Sequence, residues 1–302
     1  RQVYNGIENV GVGRDSHSVT DQTQGNWNGI VGKIELLAKA EKSVERIRVG
    51  KYDEVNHSLQ VELQGKKGFD KSLRFFIDHR PVRVVHSQTV VGKPDVRLYL
   101  LSCSLKKWDE FHPQVYQLSI VAREDTYQIQ FGVRDIAIKG RQFYMNGRPV
   151  WIRGTVENCD FPLTGYPPTD VDSWLAIFRK CKAYGLNAMR FHSYCPPEAA
   201  FTAADRVGFY LQPEGPSWPN HGVKLGQGMK IDTYLKEETK RIVDAYGNHP
   251  SFVMMAAANE PAGNWVKWCD EWVKEMRQYD PRRVYCGASV GGGWAWDSGS
   301  DY

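Results

Sequence analysis

The fold is decided by one continuous apolar run, Phe252-Val253-Met254-Met255-Ala256-Ala257-Ala258, which leads directly into Asn259-Glu260-Pro261. An apolar run without alternation is typical of a strand buried on both faces, as in the parallel sheets of α/β proteins. Because Pro261 cannot extend a central strand, we expect Glu260 at the end of this strand. The carboxyl ends of strands are where (β/α)8 barrels carry their functional side chains. The alternative is that Glu260 only caps the following helix.

The composition is that of an ordinary globular chain with a length suited to about two domains. Charged residues make up 25% and hydrophobic residues 41%, and the net charge of +4 comes from scattered Lys and Arg. This argues against a nucleic-acid partner, and no apolar run approaches the roughly 20 residues of a membrane span.

The six cysteines lack CxxC and metal-type spacing, which predicts buried thiols. The chain begins without methionine or a signal peptide, so we expect a piece of a longer protein whose compartment is unknown, with a periplasmic or secreted location open.

Residues 1–135 have the pattern of an all-β region. Short alternating segments separated by Gly, Asp and Asn turns predict a β-sandwich. The segments are Ile30–Leu36, Ser43–Val49, Ser58–Leu63, Leu73–Ile77, Val96–Leu101 and Val115–Val121.

From Phe143 onward, strands alternate with helices, which predicts parallel βα units. A complete (β/α)8 barrel takes about 250 residues, so the five units found here predict a partial barrel with about three units to come. The first helix is expected to begin with a capping-box-like pair, Thr169 and Asp172. The predicted strands are Val150–Arg153, Asn187–Phe191, Phe209–Leu211, the apolar run ending at Asn259, and Val284–Ala288, and the predicted helices include Glu198–Val207 and one carrying Trp265, Trp268, Trp272 and Met276.

Polar side chains follow these strands, and in a barrel they would converge on one pocket. Each also has a plain structural explanation: a salt bridge for Arg190, a hydrogen-bonded structural role for His192, and a solvated loop for Glu214. Their shared position is the stronger argument for a site. They are Glu157, Asn158 and Asp160 after the first strand, Arg190 and His192 after the second, Glu214, Trp218 and His221 after the third, and Asn259 with Glu260 after the fourth.

The Asn259-Glu260 pair suggests cleavage of a glycosidic bond. That reaction needs one protonated carboxyl to donate to the leaving oxygen and a second carboxylate on the opposite face of the sugar. An amide beside the acid can hydrogen-bond the sugar 2-hydroxyl, a contact that strengthens in the transition state.

Four segments occur in a fixed order: Asn26–Leu36, Trp108–Leu118, Phe131–Ile136 and Phe143–Gly154. Together they resemble glycoside hydrolase family 2, the family of β-galactosidases, β-glucuronidases and β-mannosidases, and the likeness covers essentially the whole chain. Asn26–Leu36 is similar to the end of the family's jelly-roll sugar-binding domain, and Trp108–Leu118 to a strand pair of its immunoglobulin-like sandwich. Phe131–Ile136 resembles the junction "FGfRei", and Phe143–Gly154 resembles "f.lNGkpv.lrG" at the start of the barrel. The resemblance implies a jelly roll over 1–42, an immunoglobulin-like sandwich over 43–134 and the first part of a TIM barrel over 135–302.

The resemblance also implies roles for individual residues. Glu260 corresponds to the acid/base of a retaining exo-β-glycosidase, Asn259 to the contact with the 2-hydroxyl, and Arg190 to an arginine that supports the nucleophile. Substrate contacts are expected from His192, Asn158, Asp160 and Trp218. The partner is then an oligosaccharide or glycoside, and assembly into a homo-oligomer is expected because large family members often assemble.

The chain departs from the family in two places. Arg190-Phe191-His192-Ser193-Tyr194-Cys195-Pro196 stands where "R-x-S-H-y-P" is common, so the histidine comes one position early. Asn158 replaces the histidine of "GvNrH". Both differences weigh against a plain β-galactosidase. Some family members bind magnesium near the acid/base, for which Glu214 and His221 are weak candidates; the primary expectation is no metal or other cofactor.

The nucleophile of the family is a second glutamate on the seventh strand, which would lie beyond Tyr302. We therefore expect the segment alone to be inactive. A carbohydrate-binding or scaffolding protein with a degenerate barrel is the alternative from another class, and a different family of retaining barrel hydrolases is a third. A buried strand ending in Glu in the following residues would separate the first from the second.

Overall fold

A computed structural model describes residues 30–66, 68–122, 125–217, 224–289 and 299–302. No helix in these parts of the chain is long and apolar enough to cross a membrane. The strands are β1 (Val44–Asp53), β2 (Ser58–Gly65), β3 (Leu73–Ile77), β4 (Arg80–Val90), β5 (Lys93–Ser102), β6 (Tyr116–Ala122), β7 (Asp125–Phe131), β8 (Ile136–Lys139), β9 (Gln142–Met145), β10 (Arg148–Val150), β11 (Gly154–Glu157), β12 (Ala188–Phe191), β13 (Tyr210–Gln212), β14 (Met254–Asn259) and β15 (Val284–Ser289). The helices are α1 (Val171–Ala183), α2 (Glu198–Val207), α3 (Lys230–Tyr246) and α4 (Trp265–Tyr279).

The first seven strands form an antiparallel β unit in the order β1-β2-β5-β4-β3-β6-β7. The long strand β4 pairs with β5 through most of its length and with β3 at its beginning, so it joins the two halves. Leu59, Leu101, Phe75 and Ile120, which come from both halves, share one buried core. The predicted all-β character is therefore confirmed for residues 44–131, while the identification of the unit as immunoglobulin-like stays a prediction.

Two details of this region differ from the sequence prediction. No strand forms over Ile30–Leu36, where Ile34 and Leu36 have exposed side chains and find no pairing strand among the described residues. Strand β4 was not predicted because nearly all of its residues are exposed, so it lacks the alternation that marks a half-buried strand. The rest of the predicted jelly-roll segment, residues 1–29, lies outside the described residues.

A small antiparallel sheet, β10-β9-β8, covers the amino-terminal ends of the barrel strands. Its Phe143 and Met145 pack in one apolar cluster with Tyr210, Val253 and Val284, which stand at the beginnings of β13, β14 and β15. The amino-terminal ends of these described strands are thereby covered by apolar side chains, and the polar side chains lie at the opposite end, where the strands finish.

Five parallel strands follow one another in the barrel region. β11, β12 and β13 are paired in parallel, as are β14 and β15, and the bridges Leu211–Phe252 and Glu214–Ala256 connect β13 to β14. The apolar faces of α1 to α4 pack on these strands in the largest buried cluster. The run ending at Asn259 is a strand that is buried throughout, as predicted.

Two elements of the barrel region were predicted wrongly. Val150–Arg153 is not the first parallel strand, because Arg148–Val150 pairs antiparallel with β9; the parallel strand is β11, Gly154–Glu157. Helix α1 is not capped by Thr169; the side chain of Asp170 accepts the N–H of Ser173 at 2.8 Å.

Candidate active site

The centre of the site is a contact between the ends of three neighbouring strands. Arg190 lies on β12, Glu214 follows β13 and Asn259 ends β14. The Nε of Arg190 donates to Oε1 of Glu214 at 2.6 Å, and its Nη2 reaches Oε2 at 3.3 Å. The same Nη2 donates to Oδ1 of Asn259 at 2.5 Å. The sequence-predicted residues Arg190, Glu214 and Asn259 are thus brought together at the carboxyl end of the parallel strands.

Glu214 is fully buried, and its carboxylate is held by more than the arginine. The backbone N–H of Ser193, a residue with a positive φ of 61°, donates to Oε2 at 2.8 Å. Such a left-handed conformation costs a non-glycine residue roughly 1–2 kcal/mol. The expectation that Glu214 merely solvates a loop is therefore wrong.

Gly215 allows the loop after β13 to lie directly against β14. Its N–H donates to the carbonyl of Ala256 at 3.0 Å, and a Cβ at this position would lie 2.1 Å from the carbonyl oxygen of Ala257. Since no side chain fits there, glycine is required for the close approach that sets Glu214 beside Arg190 and Asn259.

Glu260 leaves the strand by a sharp change of backbone direction. Asn259 is 3% exposed, whereas Glu260 has an exposed side chain and a φ of +43°. Pro261 follows, and α4 begins only at Trp265. Glu260 is therefore an exposed residue directly after the carboxyl end of β14, and the N-cap of the following helix is Asn264.

A second carboxyl stands at the end of β11. Oε2 of Glu157 accepts a hydrogen bond from the hydroxyl of Tyr194, and Oε1 accepts the N–H of Asp160 at 3.2 Å. Burial raises the pKa of Glu157 to about 7, against the lowering effect of the backbone N–H groups of Cys159 and Asp160. The sequence pattern places Glu157 at this strand end but indicates no role for it. Its partner Tyr194 comes three residues after the end of β12, among the polar residues that follow that strand.

The remaining predicted residues surround this centre to different degrees. His192 is half-buried; burial lowers its pKa, which the negative charges of Glu214 and Glu260 partly oppose. Asn158 and Asp160 are exposed in the loop after β11. Trp218 and His221 lie outside the described residues, so their predicted roles stay predictions.

The described residues give little support for a magnesium site. Both oxygens of Glu214 already accept hydrogen bonds from Arg190 and Ser193, so this carboxylate does not fit a metal ligand in the observed arrangement. Within the described ranges, no three His, Cys, Asp or Glu side chains are grouped so that they could hold a metal ion.

Comparison with known proteins gives a consistent picture. The family described as glycosyl hydrolases family 2, TIM barrel domain, matches residues 136–290, just over half of the chain. A β-galactosidase of Staphylococcus xylosus is 24% identical over 266 residues, which are 82% of this chain and 26% of that protein. A β-glucuronidase of Streptococcus agalactiae is 26% identical over 209 residues, 63% of this chain and 34% of that protein.

Solved structures share the fold. The β-glucuronidase from Ruminococcus gnavus in complex with D-glucaro 1,5-lactone has a TM-score of 0.64 at 20% identity, over 82% of this chain and 42% of that chain. The β-glucuronidase of Parabacteroides merdae has a TM-score of 0.60 at 19% identity, over 81% of this chain and 33% of that chain. The chain thus spans about a quarter to two fifths of the lengths of these proteins.

Proposed function

This chain belongs to the glycosyl hydrolases of family 2, and from that premise we propose that the protein hydrolyses O-glycosidic bonds as a retaining exo-β-glycosidase with Glu260 as its acid/base. The observation that carries the proposal is the position of Glu260. Its carboxyl is exposed at the end of a buried parallel strand, next to an amide that Arg190 holds in place. Barrel enzymes carry their catalytic groups at this end of their strands.

In the proposed reaction, the protonated Glu260 carboxyl donates its proton to the glycosidic oxygen as the bond from that oxygen to the anomeric carbon breaks. A second carboxylate attacks the anomeric carbon from the opposite face and forms a glycosyl-enzyme ester. Glu260, now ionised, takes a proton from the water that attacks the same carbon, and the ester bond breaks. Two inversions return the sugar in its original β configuration.

The second carboxylate has to lie about 5–5.5 Å from the acid/base in a retaining enzyme. Glu214 is fully buried and held by Arg190 and Ser193, and Glu157 accepts hydrogen bonds from Tyr194 and Asp160. We therefore assign the nucleophile to a glutamate outside these 302 residues, as the family resemblance implies, and expect the segment alone not to hydrolyse glycosides.

The charge of the strand-end loops favours a neutral sugar. Residues 158–170, 192–197, 213–229, 260–264 and 290–302 follow the five parallel strands, and of the 39 Lys and Arg of the chain only Lys224 falls within them. A uronic acid carries a carboxylate, whose recognition needs a cation or several hydrogen-bond donors. Within the five strand-end loops of these 302 residues, Lys224 alone could pair with such a carboxylate, so we propose a neutral β-glycoside as the substrate and use a β-galactoside to represent this class.

The proposal is tested on the protein that contains this chain together with the rest of its barrel. Nitrophenyl β-galactoside and nitrophenyl β-glucuronide serve as substrates for the wild type and for Glu260→Gln. We expect turnover of the galactoside, and a loss of about 10²–10⁴-fold in kcat/KM in the variant, because it lacks a proton donor. The loss should be smaller with a dinitrophenyl leaving group, which needs less protonation. Azide should restore turnover and give a β-glycosyl azide.

A matched control is Glu271→Gln, which removes an exposed carboxylate on α4. It should leave kcat/KM unchanged. Sugar binding without turnover in the wild type would favour the carbohydrate-binding alternative, and full activity in Glu260→Gln would remove the assignment of the acid/base.

A further inference from the structure

We propose that Glu214 is a positioning residue that acts through Arg190 to hold the side-chain amide of Asn259 with its NH2 group toward the glycoside. The inference rests on the proposed function. It gives the buried carboxylate at the end of β13 a role other than metal binding.

The orientation of the Asn259 amide follows from the chemistry of its neighbour. A guanidinium group has only donors, so the amide atom that faces it must be the oxygen. The 2.5 Å contact from Nη2 of Arg190 to Oδ1 of Asn259 therefore turns Nδ2 the other way. If the neighbouring side chain could accept a hydrogen bond, the Asn259 amide could rotate by 180° and present its oxygen to the ligand instead.

The amide nitrogen of Asn259 has no hydrogen-bond partner among the residues that the structure describes, although the atom is buried. Leaving a buried donor unsatisfied is unfavourable, and such groups in native proteins call for a specific explanation. A ligand atom that accepts a hydrogen bond would satisfy it. Because Glu260 is the next residue and acts at the glycosidic oxygen, the nearest acceptor is the ring hydroxyl beside the anomeric carbon, the 2-hydroxyl.

Glu214 supplies the rigidity of this arrangement. Its two oxygens take the Nε and Nη2 of Arg190 and the N–H of Ser193, which fixes the guanidinium plane. The side chain of Arg190 is partly exposed, so without Glu214 it could rotate toward solvent. Without this carboxylate, Arg190 would no longer be held in place, and the orientation of the Asn259 amide would no longer be fixed.

An arginine, a glutamate and an asparagine also meet at the amino-terminal ends of β11 and β12, but there the asparagine amide has all its partners within the protein. Nη2 of Arg153 lies 3.7 Å from Oε1 of Glu110, and Nδ2 of Asn187 donates to Oε2 of Glu110 at 2.6 Å. Oδ1 of Asn187 accepts the N–H of Arg153 at 2.8 Å. Both ends of this amide are satisfied within the protein, as expected of a structural cluster. Of these two clusters, the one around Asn259 is the one whose amide donor has no partner among the described residues.

The experiment compares Glu214→Gln with Glu110→Gln in the complete protein. The substrates are an aryl β-galactoside and its 2-deoxy analogue. For Glu214→Gln we expect kcat/KM for the hydroxylated substrate to fall about 10–100-fold, the usual effect of losing a group that orients a ligand-binding residue. The 2-deoxy substrate should lose less than about threefold, because it has no oxygen for Asn259 to contact. Glu110→Gln should not distinguish between the two substrates.

Equal losses on both substrates, with thermal unfolding unchanged, would overturn the positioning role. Adding Asn259→Ala to Glu214→Gln should cause little further loss, because both changes remove the same contact. If Glu214→Gln does not fold, Glu214→Asp, which draws the carboxylate back from Arg190 by one methylene, tests the same relay, and equal losses on both substrates there would also overturn it. If the wild type shows no turnover, the proposed function fails, and calorimetric binding of galactose and 2-deoxygalactose to the same variants decides the positioning role independently.

Discussion

The Nδ1 of His249 lies 2.6 Å from Oδ2 of Asp205, a residue 44 positions earlier in the chain. Both residues are buried. The other carboxylate oxygen accepts the N–H of Ser251 at 3.0 Å, and the backbone carbonyl of Asp205 accepts Nε1 of Trp108 at 2.8 Å. Asp205 thus ties α2 to the segment that leads into β14, the strand that carries Asn259.

This pair predicts a pH-dependent contribution to stability. Burial disfavours the charged imidazole, but the Asp205 carboxylate outweighs it and raises the pKa of His249. A raised pKa in the folded state means stabilisation that is fully present below about pH 6.5 and is lost as pH rises through the folded-state value. Asp205→Asn should lower the free energy of unfolding by about 3 kcal/mol at pH 6 and by less at pH 9. Urea unfolding at both pH values measures this, with the exposed Asp172→Asn as control; a loss independent of pH would contradict it.

The positive φ of Glu260 predicts that the backbone conformation of this residue lowers the free energy of unfolding. A Cβ in the left-handed region costs roughly 1–2 kcal/mol, and glycine avoids this cost. Glu260→Gly should therefore unfold with a free energy about 1 kcal/mol above that of Glu260→Ala, while both variants lose the acid/base. The opposite order is expected at Glu237 within α3. There the alanine variant should have a free energy of unfolding about 1 kcal/mol above that of the glycine variant. Identical values for the two Glu260 variants would show that the backbone there is unstrained.

The sequence was sufficient to locate Glu260 because three local signals agree: a continuous apolar run, a polar pair and Pro261. It could not predict that Arg190 contacts Asn259, since the two residues are 69 positions apart and meet only when β12 pairs with one side of β13 and β14 bridges to the other. The segment that resembles the "FGfRei" junction includes Arg134, but the resemblance gives no physical reason for an arginine at this position. In the structure its guanidinium donates to the carbonyls of Pro250, Phe252 and Arg282, which fixes the entrances of β14 and β15.

The first barrel strand shows how local patterns mislead. Val150–Arg153 is more apolar than Gly154–Glu157, yet Val150 belongs to a hairpin that pairs with β9. The four residues of β11 begin with glycine and are partly exposed, so neither propensity nor burial marks them. Their identity as a strand comes from pairing with β12, which is a tertiary effect.

The close packing at Gly215 predicts a strong effect of a single methyl group. A Cβ there would lie 2.1 Å from the carbonyl oxygen of Ala257, so Gly215→Ala must displace the loop that holds Glu214. We expect a loss of about 1–3 kcal/mol in the free energy of unfolding, together with reduced kcat/KM. At Gly154 the nearest atom would be 3.7 Å away, an ordinary contact, and Gly154→Ala should change neither quantity appreciably. Equal behaviour of the two variants in thermal unfolding and turnover assays would refute the steric argument.

The carboxyl of Glu157 predicts a second, independent pH effect on stability. Burial raises its pKa from 4.5 to about 7 in the folded state. Between these values the unfolded chain releases the proton first, so the free energy of unfolding falls as pH rises from 4.5 to 7, and above pH 7 the ionised carboxylate is destabilising. Glu157→Gln removes this dependence because an amide does not titrate. Relative to the wild type, the variant should gain stability between pH 5 and pH 8 in urea unfolding, whereas the exposed Glu237→Gln should show the wild-type dependence. A constant difference between Glu157→Gln and the wild type across this range would mean that the carboxyl titrates alike in the folded and unfolded states.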